Sequence, residues 1–214
     1  VTYTITTEGD TLRPDADGVY AATYGAYIIK AAKPGYRCYR TTLTIGDDAE
    51  GEQTCIVEMV KAGENGWDGI TLTEPKYEND VYQISNGAEL AWFAAKVNDG
   101  DYTISAKLVN DIDLCNYDWT PIGGDKSNKA YQGTFDGDGY TIDGLYINNA
   151  KTYQGLFGYT TNSHISGVTV DGEINAKQYV AGVVAYMGAK TYVDRCVNKA
   201  TVSGTSTYVG GITG

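Results

Sequence analysis

The chain has 214 residues and a formal net charge of −11, set by 27 acidic side chains against 16 lysines and arginines. That balance excludes a nucleic-acid binder, since phosphate contacts need clustered Lys and Arg, and it disfavours an anionic membrane surface. Glycine (27) and tyrosine (19) are abundant and proline (4) is scarce, which favours strands and tight turns over helices, and no stretch approaches the roughly 20 apolar residues of a membrane span.

Residues 1–62 have a grammar of their own. Thr2–Thr6 alternates like a half-buried strand, and Asp10–Gly18, with Pro14, reads as a loop. Gly18-Val19-Tyr20 and Gly25–Ala31 read as further strands, broken at Lys33–Tyr36. Cys38–Ile45 and Gln53–Val60 predict a hairpin around the acidic loop Gly46–Glu52. Together these predict a small antiparallel β-sandwich. The phrase Gly25-Ala26-Tyr27-Ile28-Ile29-Lys30-Ala31-Ala32-Lys33-Pro34-Gly35-Tyr36 resembles a pattern of carboxypeptidase-regulatory-like and transthyretin-like surface modules. Related bacterial modules cross-link a lysine to Asn or Asp. No Asn precedes Asn65 here, so only an Asp would serve, and a plain spacer with solvated lysines is the simpler reading.

Gly63–Asp80 is turn-rich and reads as a linker (residues 63–80) carrying Trp67, which either packs on a neighbour or forms a binding platform. Val81–Ile84 then reads as a strand entering a second domain, residues 81–214. Asn86 and Glu89 have the spacing of a capping box, and Leu90, Phe93, Ala94 and Val97 fall on one stripe. These predict a helix near residues 87–98 that covers the first layer of the second domain, with Trp92 off the stripe and directed at the linker or the first domain.

Beyond Tyr102 the apolar period becomes two, and a repeat emerges. Tyr131-Gln132-Gly133-Thr134-Phe135 returns as Tyr153-Gln154-Gly155-Leu156-Phe157, and more loosely from Tyr179 and Tyr208. A second phrase, Ile142-Asp143-Gly144-Leu145-Tyr146-Ile147, returns from Ile165 and from Val193. Such periodicity marks a solenoid whose coils stack their aliphatic residues inward, with glycines at the corners. Asn198 falls at an apolar position and must satisfy its amide within the stack or at a turn.

The run from Tyr82-Gln83-Ile84-Ser85 through Trp119-Thr120-Pro121-Ile122-Gly123 to Gly155-Leu156-Phe157-Gly158 resembles the opening region of GLUG-motif proteins, which are bacterial cell-surface, adhesin-like proteins. Gly182–Ala185 and Gly211–Gly214 depart from the motif in one or more places. The resemblance spans Val81–Gly214. It implies a right-handed β-solenoid (β-helix) in large secreted or wall-anchored proteins, including adhesins and the non-catalytic parts of some secreted peptidases. The fold expected is therefore all-β: a small antiparallel β-sandwich followed by a right-handed β-solenoid with an N-terminal capping α-helix. The chain stops inside a repeat at Gly214, so the solenoid is expected to be truncated there and to continue in further repeats.

Candidate chemistry is sparse. Asp136-Gly137-Asp138-Gly139, with Asp143 nearby, resembles half of a calcium loop but lacks a third ligand before its glycine and a distal Glu; a tight turn explains it better. Asp111 and Asp113 share a strand face, as the carboxylates of a glycoside hydrolase can, but no polar partner recurs beside them. Lyases of β-helix form need basic groups, and this region has one arginine, Arg195. The sole histidine, His164, reads as a surface or turn residue, and with Cys38, Cys55, Cys115 and Cys196 it makes no zinc-binding spacing. Cys38 and Cys55 are open to either a disulfide or isolated thiols. Tyr117, Tyr131, Tyr140, Tyr146, Tyr153, Tyr159, Tyr179, Tyr186, Tyr192 and Tyr208 offer an aromatic ladder for a glycan or protein partner, or a structural stack.

No catalytic, metal-binding or cofactor-binding residue is therefore assigned. The expectation is a non-catalytic segment of a secreted or wall-anchored bacterial surface protein, working extracellularly in adhesion or display, with a host or microbial surface glycan or protein as partner. A carbohydrate-active β-helix enzyme and an accessory region of a secreted peptidase are the alternatives.

Overall fold

A computed structural model describes residues 2–6, 11–15, 20–51, 53–124 and 127–214. The chain divides into two compact units, Val1–Lys61 and Ala62–Gly214. The fold class is all-β, with one α-helix among the described residues.

In the first unit, β1 (Thr2–Thr6), β2 (Thr11–Leu12), β3 (Gly25–Ala32) and β4 (Tyr39–Ile45) form an antiparallel sheet in the order β2-β1-β3-β4. Alternation along β3 buries Tyr27, Ile29 and Ala31 and leaves Ala26 and Ile28 exposed. A turn at Lys33–Tyr36, closed by the Tyr36 N–H donating to the Lys33 carbonyl at 3.0 Å, leads to β4.

Two expectations change here. The described residues form one sheet, not the two layers of a sandwich. Gln53–Val60 is also no strand, and the hairpin with Cys38–Ile45 does not form; pairing is limited to a bridge between Tyr36 and Lys61. Ile56 and Val60 lie exposed on one side of this run while Cys55, Val57 and Met59 are half-buried on the other. The strand expected at Gly18-Val19 and part of the loop at residues 10–18 lie outside the described residues, as does Glu52.

Gly63–Asp80, expected as a linker, falls within the second unit. Trp67 is buried edge-on against Tyr117 (6.4 Å) and Trp119 (6.1 Å), and its indole N–H donates to the Thr71 carbonyl at 2.9 Å. β5 (Lys76–Glu78) and β6 (Val81–Ile84) follow as an antiparallel pair. Next comes α1 (Gly87–Asn98). The Asn86 side chain accepts from the Glu89 N–H at 3.0 Å, while the Glu89 carboxylate reaches back to the Ser85 N–H at 2.6 Å, so the cap expected from the spacing forms one residue longer on its return arm. Leu90, Phe93, Ala94 and Val97 are all buried, as the stripe predicts. Gly87 is needed for the helix to approach so closely, since a Cβ there would lie 2.6 Å from Trp67 Cβ and 3.0 Å from the Asp113 carbonyl. Trp92 packs on Tyr82 of β6 at 5.2 Å.

The chain then makes successive passes whose strands pair in parallel. The first holds β7 (Ala106–Leu108) and β8 (Ile112–Asp113). The second holds β9 (Thr134–Asp136), β10 (Thr141–Asn148), β11 (Thr152–Gln154) and β12 (Phe157–Thr160). The third repeats that plan with β13 (His164–Ser166), β14 (Thr169–Ala176), β15 (Gln178–Ala181) and β16 (Val184–Met187). The last has β17 (Tyr192–Asp194), β18 (Val197–Asn198), β19 (Thr201–Gly204) and β20 (Val209–Gly210). Corresponding strands assemble into parallel sheets, of which one, β17-β13-β9-β7-β6-β5, is mixed through its antiparallel β5 edge.

Register fixes the interior. Ile112, Ile142, Val170 and Asn198 lie side by side in one column, and Ala106, Phe135, Ile165 and Val193 in another. The sequence repeat had set Ile142 opposite Ile165 and Val193; they stand in different sheets, and Phe135-Asp136-Gly137 is the true counterpart of Ile165-Ser166-Gly167. All the aliphatics of the two phrases from Ile142 and Ile165 are nevertheless buried: Ile142, Leu145, Ile147, Ile165, Val168 and Val170. Each such side chain contributes about 1.5–3 kcal/mol on burial. Above Phe93 of the helix, Phe135 and Tyr131 pack at 6.2 and 6.1 Å, and Phe157 joins both at 5.2 and 5.3 Å. Asn198 satisfies its amide in a turn, donating to the Ala200 carbonyl and accepting from the Ala200 N–H.

Candidate functional site

The aligned passes carry their most distinctive side chains on the sheet of β11, β15 and β20. Tyr153, Tyr179 and Tyr208 occupy one repeat position and stack face to face, 153 on 179 at 4.8 Å and 10°, 179 on 208 at 4.6 Å and 3°. All three have left-handed backbones, with φ of 58°, 51° and 64°. That conformation is uncommon for a bulky residue and costs of order 1–3 kcal/mol, so its recurrence shows that the stacked register imposes it. Tyr186 lies edge-on beside the stack, and Tyr159 packs against Tyr186 at 4.4 Å and tilts against Tyr153. Partial burial, followed by the Tyr186 hydroxyl, raises the Tyr159 phenol above its ordinary value.

This geometry divides the ten candidate tyrosines. Tyr179 is covered on both ring faces, by Tyr153 and by Tyr208, so it offers no open face of the kind a sugar platform needs. Tyr131 and Tyr117 are buried and no part of any surface. Tyr131 pairs with Thr160, not with the stacked tyrosines, because the first pass is shorter and shifts the apparent repeat. The counterpart of Leu156-Phe157-Gly158 below is Pro121-Ile122-Gly123, with Ile122 beside Phe157. The Tyr131 hydroxyl, fully buried among rings, has no hydrogen-bond partner, and desolvation drives its pKa far upward. Tyr140 and Tyr146 are half-buried, and Tyr192 is exposed.

Asp111, Asp113 and Asp143, singled out by sequence, and Asp171 with them, accept backbone N–H groups. The Asp111 side chain accepts from the Thr141 N–H, Asp113 from Cys115, Asp143 from Gly144 and Asp171 from Gly172, each at 2.8 Å. In the Asp136–Gly139 turn, Asp136 accepts from the Asp138 N–H at 3.0 Å, Tyr140 closes the turn onto the Gly137 carbonyl, and Asp138 pairs with Lys107 at 2.9 Å. Among the described residues no group of three or more His, Cys, Asp or Glu is placed to hold a metal ion. His164 is exposed and bonded to Asp194, whose other oxygen receives the Arg195 guanidinium at 2.8 Å. These two partners, His164 foremost, hold the Asp194 carboxyl below its usual range. None of the four cysteines is in a disulfide, so Cys38 and Cys55 are not bridged. No described helix is long and apolar enough to cross a membrane.

Sequence reasoning missed a groove of about 540 Å³ beneath the corner formed by Asn149–Gln154. From Tyr146 to Phe157 the chain takes eleven steps, but from Asp118 to Ile122, their partners in the pass below, it takes four. The corner that other passes build is therefore missing from the first, which leaves a notch. Lys129, Lys151 and Lys177 line it, with Thr120, Thr152 and Tyr153. The one available clue was the seven-residue deficit, visible only once the register is known.

No family model, curated protein or solved structure matches the chain.

Proposed function

We propose that Val81–Gly214 is a right-handed β-solenoid capped by α1, and that the chain is a non-catalytic segment of a secreted or wall-anchored bacterial surface protein acting in adhesion or display. The observation that carries this reading is the in-register parallel pairing of successive passes, strand for strand in the second and third, around one continuous apolar interior. A stack of this kind holds its outer face rigid over its whole length and repeats surface positions at one strand spacing, as a display scaffold requires. The right hand follows from the near-universal chirality of parallel β-crossovers. The likeness to GLUG-motif surface proteins supports the cellular setting. The first unit, with its resemblance to carboxypeptidase-regulatory-like modules, acts as a spacer.

The non-catalytic part of the reading is supported by the use of the carboxylates. Asp113, Asp143 and Asp171 accept N–H groups within two residues along the chain, and Asp111 accepts the Thr141 N–H of the next pass. The test is to incubate the segment with a panel of polysaccharides and with bacterial and host cells, measuring both retention and the release of reducing ends or unsaturated sugars. Retention without release is expected; release of product would overturn the assignment in favour of an enzyme.

A further inference from the structure

We propose that the notch left by the short first pass is a binding site for an acidic polysaccharide, whose anionic groups are taken by Lys129, Lys151 and Lys177. This rests on the surface-protein reading and names the class of ligand.

The charge pattern is the first ground. Lys76, Lys96, Lys107 and Arg195 each sit beside a carboxylate at 2.8–3.0 Å, whereas Lys190 and Lys199, like the groove lysines, have no ion pair among the described residues; what sets Lys129, Lys151 and Lys177 apart is that they line one cavity. Among the described residues the three groove lysines have no such ion pair, and no carboxylate is among those that line the cavity. They reach it from separate stretches of chain: Lys129 from the segment before Tyr131, Lys151 and Lys177 from equivalent corners of adjacent passes, where the Lys177 N–H donates to the Lys151 carbonyl at 3.0 Å. Three exposed lysines that line one cavity give it a positive charge that an anion complements.

The remaining lining favours a glycan over an acidic peptide. The hydroxyl-bearing side chains of Thr120, Thr152 and Tyr153 flank the lysines, and Tyr153 has a stacked partner on one side only. A peptide would be expected to add as a strand to β11, the outer strand of its sheet. That edge is already blocked. Gln154 donates its amide to the carbonyls of Thr152 and Tyr153 at 2.8 and 3.1 Å, and Asn149 holds it from behind at 3.1 Å. A cavity of about 540 Å³ lies within the range of small-ligand sites, roughly 300–1,000 Å³. That volume suits a short stretch of sugar units from a longer chain.

The experiment measures binding of the segment to immobilised polygalacturonate, dextran sulfate and neutral dextran, with polyglutamate as the non-sugar polyanion. It compares the wild type with the Lys129→Gln/Lys151→Gln/Lys177→Gln variant and with a charge-matched control, Lys76→Gln/Lys190→Gln/Lys199→Gln. Circular dichroism and thermal unfolding establish that both variants fold. The expected result is binding to polygalacturonate or dextran sulfate, the two arms separating carboxylate from sulfate, with at least a tenfold loss in the groove variant, little change in the control, and weakening as salt rises. Equal loss in both variants, or equal affinity for polyglutamate, would overturn the proposal. Retention of neutral dextran alone, unaffected by the groove substitutions, would also overturn it while leaving the adhesive reading intact. Failure to bind any of these polymers overturns the groove, and only failure to be retained by cells and polysaccharides alike would remove the adhesive reading as well.

Discussion

Ile29 and Ile142 are both buried isoleucines in the middle of a strand, one in each unit, and they are supported differently. Ile29 lies in a single antiparallel sheet, beside Ile5 and Thr41, with the other face of its strand open at Ala26 and Ile28. Ile142 lies between Ile112 and Val170, in a column that its equivalents continue on both sides. A one-faced sheet gives each side chain cover that depends on whatever happens to lie over it. A stack of passes gives each inward residue nearly the same neighbours above and below, so its interior is dry and repeated.

The largest effect expected from this contrast is on truncation. Ile142→Ala should cost about 4 kcal/mol, because neighbours fixed by the same register cannot collapse into the space, whereas Ile29→Ala should cost about 2 kcal/mol. Tryptophan fluorescence during urea unfolding reads the first, since all three tryptophans (Trp67, Trp92 and Trp119) belong to the second unit. Amide exchange across β3 reads the second. Equal costs would mean that the two interiors are equally well packed, and the comparison would fail.

Next in size is Gln154→Ala. Gln154 is buried and its amide covers two carbonyls at the edge of β11. Removing it should cost about 1–3 kcal/mol through unsatisfied polar groups, and should expose an edge able to recruit a second copy. Urea unfolding and concentration-dependent light scattering check the two halves of this prediction. A smaller effect of opposite sign is expected for Tyr131→Phe. The hydroxyl lost is buried without a partner, so the variant should be more stable by about 1 kcal/mol. Destabilisation there would show that the hydroxyl is satisfied in solution.

The same contrast explains what could be read from the sequence. The helix was legible because its cap, Asn86 and Glu89, and its stripe, Leu90 to Val97, are local. The inward direction of Ile142, Ile165 and their neighbours was legible because a period of two fixes faces. The pairing of the passes was not. Tyr131-Gln132-Gly133 looks like Tyr153-Gln154-Gly155, yet Tyr131 is buried beside Phe93 and Phe157, because a seven-residue shortfall after Asp118 moves the frame. The groove was illegible for the same reason: an absent corner leaves no residues to read, and its lysines are far apart in the chain. In the first unit, Gln53–Val60 had the alternation of a strand, but a period of two fixes faces and not a pairing partner.

The smallest predicted effect tests whether the outer surface of the stack matters to its stability at all. Asp194 sits on β17, exposed, between His164 of the neighbouring pass and Arg195. Its carboxyl is held below the ordinary value of 3.8, first by His164 and then by Arg195. A carboxyl whose folded pKa is depressed contributes stability that is fully present above the unfolded value and is lost as pH falls through the folded one. The difference in urea midpoint between wild type and Asp194→Asn should therefore be small and steady near pH 5, and should close as pH is lowered below about 4. A gap that persists unchanged into strong acid would mean that the substitution acts through packing of the β13–β17 edge and not through charge. The surface of the stack would then be as tightly coupled to its register as Ile142 is, and the distinction between a repeated interior and an indifferent exterior would have to be abandoned.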